Sequence, residues 1–333
     1  MQLRHVKILG TGKYLPGREV TDAELDDVLG TPEGWVGKIT GVGVRHYAVE
    51  GETASSMGAR AAEAALAAAG LSFSDVDCLV CTSGTKEQPL PGTAVFIQQA
   101  MGQGNSGVPA FDIDSTCLSF LVGMDVMSYM VAAGRYRNVL LVATEIASAG
   151  LNYEDKESAA LFGDGAAAVI IGPCAAGDSS KILHASLKTY SSGARYSEIA
   201  GGGTRLHARK FSKENAVPYL FHMDGQAIFR QASKLLPDFM NEMLTQAETQ
   251  MTDFRLVVPH QGSAMAMRLL RKKLGIAEDR FLDNTPGHGN TIAASIPMGL
   301  HEAIARGRVR RGDRILFIGT AAGLSLGGMI IDY

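Results

Sequence analysis

The chain has 333 residues, which at about 150 residues per domain leaves room for two. Its 46% apolar and 20% charged residues can bury a large core, and 31 Lys+Arg against 34 Asp+Glu leave a net charge of −3 with no basic stripe, which argues against a nucleic-acid partner. No apolar run approaches the ~20 residues of a bilayer span, the N-terminal apolar stretch is broken by Lys7 and Gly10 unlike a signal peptide, and four cysteines make no disulfide framework; a cytoplasmic α/β protein is expected.

In chain order, the Ala-rich stretch 55–69 reads as a helix of good helix formers, followed by a short apolar strand at 79–82. Helices at 93–102 and 118–133 and strands at 139–143 and 167–171 complete the first half. Segment 190–222 is Gly/Ser-rich and poorly periodic, and reads as a surface excursion of the kind that shapes a substrate entrance. Then come helices at 224–248, 263–274 and 292–306 and strands at 256–259, 315–319 and 328–332. Strands this apolar are expected to be covered on both faces, as in a layered α/β protein.

The second half repeats the first. DVDCLVCTSGT and DFRLVVPHQGS share an acidic start, an apolar run and a polar turn with Gly, at an offset of 178 (75 to 253). Residues 111–144 and 282–320 each pass from an extended segment through a small-residue turn into a helix closed by Gly, then a basic turn and a buried strand. The closing glycines give an offset of 173 (134 to 307), which sets Cys117 opposite Asn290. GDGAAAVIIG (163–172) pairs with GLSLGGMII (323–331). Two halves follow, 1–175 and 176–333, expected to pack about a pseudo-twofold axis that brings their loops to one centre.

Three residues at such loops can do chemistry. Cys117, in DSTCLSFLVGMD, lies at a helix N-terminus, where the backbone dipole is expected to lower the thiol pKa; alone it is more often a buried core cysteine, and its place at a duplicated strand-to-helix turn shifts that balance. His260 ends the run LVVPH, placed to protrude into a cleft or to serve as a capping or core histidine. Asn290, in GHGNTIAASIP, precedes a small-residue helix that it alternatively caps. Together they supply a nucleophile and two polar groups able to hold a carbonyl oxygen. His288 is expected to be a structural turn residue. Cys78 and Cys81 lie three apart on a strand and so face opposite sides, unsuited to one metal; Cys174 has no partner in sequence. GTGKYLPG lacks the spacing of a phosphate loop, and the Gly163 and Gly201 clusters read as turns.

These motifs resemble the β-ketoacyl-acyl-carrier-protein synthase III group of the thiolase superfamily, nearly end to end. The likeness covers ILGTGKYLPGREVT, EGWVGKITGVGVRHYAVEGETASSMG, TCLSF, FGDGAAAVI, PHQ, HGNTIAASIP and AAGLSLGG, and the combination is highly specific. It implies a thiolase-like duplicated five-layer αβαβα fold of two pseudo-twofold-related halves, and a homodimer. It implies Cys117 as the acyl-accepting nucleophile, His260 and Asn290 as donors to the extender carbonyl, and the backbone N–H groups of Cys117 and Ala322 as the oxyanion hole. It further implies substrate-binding places for Trp35, Leu90, Lys156, Gly225, Arg230 and Ser263, with Leu90 reaching toward the partner's acyl pocket and Arg230 standing where a lysine is usual.

By this resemblance the reaction is a decarboxylative Claisen condensation of an acyl thioester with a malonyl thioester, giving a β-ketoacyl thioester for fatty acid or specialised acyl or polyketide biosynthesis. Acyl-coenzyme A and acyl-carrier protein are the implied substrates, with no metal or redox cofactor. Several positions depart from the pattern. Ile39 and Lys156 stand where arginines face the adenine, Ser263 and Met265 replace an asparagine and a basic residue after PHQ, and Thr116 and Leu118 replace small neighbours of the cysteine. Arg and Lys are not interchangeable in stacking or bidentate contacts, so an acyl group longer or less usual than acetyl is expected. Two other readings compete: an acyltransferase of the same fold passing the acyl group to a hydroxyl or amine, and a non-catalytic partner subunit. Intact Asn290 disfavours the first, and the intact Cys117, His260 and Asn290 set disfavours the second.

Overall fold

The computed structural model describes residues 3–333. β1 (Val6–Tyr14) leads into β2 (Arg18–Thr21), helices α1 (Asp22–Leu29) and α2 (Trp35–Thr40), and β3 (Val44–Tyr47), which pairs with β2. Then follow α3 (Ala54–Ala69), β4 (Cys78–Cys81), α4 (Thr93–Ala100), β5 (Ala110–Asp112), α5 (Ser119–Ala132), β6 (Val139–Glu145), α6 (Lys156–Ala159) and β7 (Gly165–Pro173). Beyond these lie β8 (Lys181–Thr189), the short pair β9 (Ser197–Glu198) and β10 (His222–Met223), α7 (Gly225–Gln246), β11 (Leu256–Pro259), α8 (Ala264–Lys273) and α9 (Thr285–His288). α10 (Ser295–Ala305), β12 (Arg314–Ala321) and β13 (Ser325–Asp332) close the chain.

Two sheets share one strand order. The first runs β1-β7-β6-β4-β5, and the second β8-β13-β12-β11, with a parallel bridge from Val257 to Phe281 where β5 lies in the first. In each, the central pair is parallel (β4 with β6, β11 with β12) and the remaining neighbours on the far side are antiparallel.

Side-chain alternation along these strands divides the core into three layers of contact. On one face of the first sheet, Leu79, Cys81, Leu140 and Val142 pack on Met57, Ala61 and Ala65 of α3 and Ile97 of α4. On its other face, Cys78, Val80, Val139 and Leu141 share a core with Phe120, Leu121 and Met124 of α5, Ile296 and Leu300 of α10, and Leu256, Phe317 and Met329 of the second sheet. The outer face of that sheet buries Val257, Leu316 and Ile330 against Phe239 and Met243 of α7 and Met267 of α8. The stack is therefore helix, sheet, helix, sheet, helix, the expected five-layer αβαβα fold. Cys78 and Cys81 do lie on opposite faces of β4, in different cores.

β1 and β8 are strands that the apolar pattern alone did not mark. β1 carries Gly10 and Gly12, which break its hydrophobic run for a packing reason: a Cβ at either would collide with the backbone of α3 around Ala65 and Ala61. β8 is a half-buried edge strand of its sheet, with His184, Ser186 and Lys188 interrupting the apolar positions. Segment 190–222 is a largely exposed excursion of single 3-10 turns around the β9–β10 pair. Among the described residues no helix is long and apolar enough to cross a membrane.

Candidate active site

Cys117 sits in a 3-10 turn, Thr116–Leu118, and α5 starts two residues later at Ser119. Thr116 N–H donates to Asp114 Oδ1 (2.8 Å), Ser115 N–H donates to Ser119 Oγ (2.8 Å), and that hydroxyl donates back to the Thr116 carbonyl (2.7 Å). Thr116 is held at φ 49°, a left-handed conformation costly for a β-branched residue. The thiol is pushed up to about 12, chiefly by burial and next by the charge of Glu145, while the N–H groups of Cys117 and Ala322 pull it down. The expected net lowering by a helix N-terminus is therefore corrected. The helix begins past the cysteine, and desolvation outweighs the local N–H groups.

His260 follows β11, with its N–H on the Ile318 carbonyl (2.8 Å) and only 8% of its surface exposed. Its Nδ1 meets Ser295 Oγ at 2.8 Å, and the same hydroxyl accepts from Gln261 N–H (3.3 Å). A hydroxyl has one proton and two lone pairs, so Ser295 can accept from Gln261 N–H and still donate to Nδ1, an arrangement that leaves the imidazole proton on Nε2. Burial pushes His260 down to about 4, so it is neutral near pH 7, with Nε2 on the edge away from Ser295. Gly262 leaves that edge clear, since a Cβ there would stand 3.2 Å from Nε2.

Asn290 is 6% exposed and lies five residues before α10. Its Oδ1 accepts from Ile292 N–H (2.9 Å), which orients the amide and leaves Nδ2 as a donor. Asn290 is not the helix cap of the alternative reading: the N-cap of the 3-10 turn Ile292–Ala294 is Thr291 and that of α10 is Ala294. Ile292, at φ 48°, repeats the strained geometry of Thr116.

Two glycines bring these loops together. A Cβ on Gly319 of β12 would lie 2.7 Å from His260 Cβ and 3.1 Å from Leu118 Cδ2, so His260 packs beside the residue next to Cys117. A Cβ on Gly84 would lie 2.9 Å from Ile292 Cγ2 and 3.2 Å from the Thr116 carbonyl carbon, so the cysteine turn abuts the turn that fixes Asn290. The repeat is in a different register from the one counted on the closing glycines. Thr116 matches Ile292 and Ser119 matches Ser295, so Ala293, not Asn290, stands opposite Cys117. The reason is that α5 has 14 residues and α10 has 11, so an offset read at the helix ends is three short at their starts.

The remaining expected residues lie around this centre at differing depth. Ala322 is in the turn between β12 and β13, with its N–H bearing on the Cys117 thiol. Trp35 opens α2 and packs against the cluster of Val20, Leu25 and Val36, and Lys156 Nζ donates to the Gly30 carbonyl at the end of α1 (3.3 Å). Gly41, after α2, is in contact with Ala264 of α8, so Trp35 and Ser263 belong to adjoining helices. Ser263 itself caps α8, its hydroxyl accepting from Ala266 N–H (3.4 Å). Gly225 and Arg230 are exposed on α7, and Leu90 is 82% exposed; none of these three is drawn into the Cys117 turn. His288 is more than a turn residue: its Nε2 meets buried Glu302 at 2.6 Å, which also binds Lys13 at 2.5 Å.

Sequence reasoning passed over Glu145, Ser295, Gly84 and Gly319. Glu145 carried a signal, a lone carboxylate ending the apolar strand VLLVAT. Its oxygens accept from Gly84 N–H (2.7 Å), Thr85 N–H (2.8 Å) and the Thr85 hydroxyl (2.6 Å).

Comparison with known proteins agrees with this architecture. Residues 111–191 match the 3-oxoacyl-[acyl-carrier-protein] synthase III family, and residues 244–333 match its C-terminal part. The β-ketoacyl-[acyl-carrier-protein] synthase III of Acidiphilium cryptum is 37% identical over 97% of this chain and 98% of its own. The crystal structure of 3-oxoacyl-[acyl-carrier-protein] synthase III from Aquifex aeolicus is 32% identical, covers 98% of this chain and all of its own, and superposes with a TM-score of 0.88. The priming β-ketosynthase of the R1128 polyketide pathway reaches the same TM-score at 28% identity, over 98% of this chain and 96% of its own.

Proposed function

This chain belongs to the 3-oxoacyl-[acyl-carrier-protein] synthase III family of acyltransferases, and from that premise we propose how its own residues carry the decarboxylative condensation. Cys117 takes the acyl group: its sulfur attacks the thioester carbonyl, the tetrahedral oxyanion is met by the N–H groups of Cys117 and Ala322, and the donor thiol leaves with the proton that Cys117 gives up. An oxyanion-hole donor is worth about 10²–10³ in rate. A malonyl thioester then loses CO₂, and its enolate oxygen is held by Nε2–H of His260 and Nδ2–H of Asn290. The enolate carbon attacks the acyl-Cys117 carbonyl, the carbon–sulfur bond breaks, and a β-ketoacyl thioester departs. No step as written uses a metal or redox cofactor.

The observation that carries this reading is the pairing of a buried, neutral His260, its Nδ1 on Ser295, with the Asn290 amide beside the Cys117 turn. Donors without a proton-accepting group suit an enolate oxygen. Transfer to a hydroxyl or amine needs a base on the incoming nucleophile, and His260, buried and pushed down to about 4, is a poor one.

The acyl donor is an acyl-coenzyme A or an acyl-carrier protein, entering along α2 and α8, where Trp35, Lys156, Ser263, Gly225 and Arg230 would meet the carrier arm. The exposed Ile39 and Met265 in place of cations favour a donor longer or less usual than acetyl-coenzyme A. Halves 1–175 and 176–333 act as one catalytic unit in a cytoplasmic homodimer. Exposed Leu90 and the edge strand β5 with exposed Phe111 support the dimer, since such apolar edges favour covering.

Intact mass after incubation with acyl-coenzyme A species of graded length tests the first step. Wild type gains one acyl mass and Cys117→Ala none; equal acylation of the variant overturns the assignment.

A further inference from the structure

The two turns that aim Cys117 and Asn290 are both strained, and something must hold them. Thr116 and Ile292 are β-branched residues in the left-handed region, a costly conformation that persists only where surroundings enforce it. Between them lies Gly84, whose missing side chain lets the 83–85 loop touch both. That loop is clamped from the end of β6. Thr144 N–H donates to Ser83 Oγ (2.9 Å), Ile146 N–H to Thr85 Oγ1 (3.3 Å), and the three bonds from Gly84 and Thr85 converge on Glu145. The Ala293 N–H, from the turn after Asn290, bears on the same carboxylate and draws its pKa down.

We propose that Glu145 is a positioning residue: its buried carboxylate fixes the 83–85 loop, against which the Thr116 and Ile292 turns both pack, and so sets the spacing between Cys117 and the His260–Asn290 pair. Through Gly84, one side chain thus bears on both turns. The carboxylate is fully enclosed, and a buried carboxylate without paired cations is retained only at a cost that its three donors offset in part. Burial raises its pKa to about 8 against those donors. The titratable groups that feel it are Cys117 and Cys81, with Asp114 the other charge bearing on Cys117. Once ionised, above about pH 8, its charge opposes formation of the Cys117 thiolate, so its removal lowers the thiol pKa.

This role rests on Cys117 being the nucleophile, and the first arm of its test needs no substrate. Iodoacetamide alkylation of Cys117, followed against pH by peptide mass, is compared for wild type and Glu145→Gln. The amide keeps shape, removes charge, and turns an NH₂ toward two N–H donors. The alkylation profile moves to lower pH, and kcat per folded protein falls about 100-fold, as expected for misplacement of reacting groups by ~1 Å, with KM for the acyl donor little changed. An unshifted profile together with wild-type kcat overturns the proposal. Should Glu145→Gln not fold, Glu145→Asp keeps the charge and shortens the reach; loss of kcat with an unmoved profile supports the role, and wild-type kcat overturns it. Acylation persisting in Cys117→Ala would instead sink the nucleophile assignment, whatever Glu145 does.

Discussion

Replacing Gly319 with alanine tests the packing that joins the two halves of the site. The added methyl would stand 2.7 Å from His260 Cβ and 3.1 Å from Leu118 Cδ2, whereas non-bonded carbons rest near 3.5–4.0 Å, so about 1 Å of movement is forced. Neither neighbour yields easily. Leu118 is fully buried, and His260 is held through its N–H to Ile318 and its ring to Ser295. Overpacking of this kind costs about 1–3 kcal/mol, and a reacting group displaced by ~1 Å costs about 10² in rate. Gly319→Ala is therefore expected to fold with a lowered Tm, to acylate Cys117 measurably, and to lose most malonyl decarboxylation. Thermal unfolding, intact mass and CO₂ release on one preparation separate these effects. Wild-type decarboxylation with an unchanged Tm would refute the claim that Gly319 sets His260 against the cysteine turn.

Two further perturbations probe groups behind the site. Ser295→Ala strips Nδ1 of its donor and Gln261 N–H of its acceptor, so kcat drops about tenfold, the value of one such hydrogen bond, while Ser295→Thr restores it. Wild-type turnover in the alanine variant would contradict the orienting role of the Ser295–Nδ1 bond. Glu302 is held well below its usual 4.5 by His288 and Lys13, so its stabilising effect is present above that pH and is lost as the pH falls below it. Glu302→Gln should cost about 3 kcal/mol in urea unfolding at pH 7, as breaking a buried pair does, and progressively less in acid; a gap independent of pH would count against it.

Much of the fold was legible because its central strands are apolar on both faces: 256–259 is read at its observed bounds, and 139–143 falls within β6. The strands that escaped notice are those whose sequence serves another element, as Gly10 and Gly12 of β1 serve α3. Cys117, His260 and Asn290 stood out because each ends or precedes an apolar run. The groups that orient them did not, because Ser295, Gly84 and Gly319 act by contacts between loops far apart in sequence, and no local pattern encodes a methyl group's absence. The repeat was visible, but its register at the site was not. A helix three residues shorter in the second half moves every count made from its far end.

The central claim is that one site takes an acyl group on Cys117 and passes it to a malonyl-derived enolate held by His260 and Asn290. Its most direct test is to isolate the acyl-enzyme, add malonyl thioester, and follow intact mass and CO₂ together in wild type and His260→Ala. Wild type should lose the acyl mass as CO₂ and a β-ketoacyl thioester form in equal amounts, while His260→Ala keeps its acyl group and releases no CO₂. Undiminished decarboxylation in the variant, or loss of the acyl mass without a β-ketoacyl product, would contradict it.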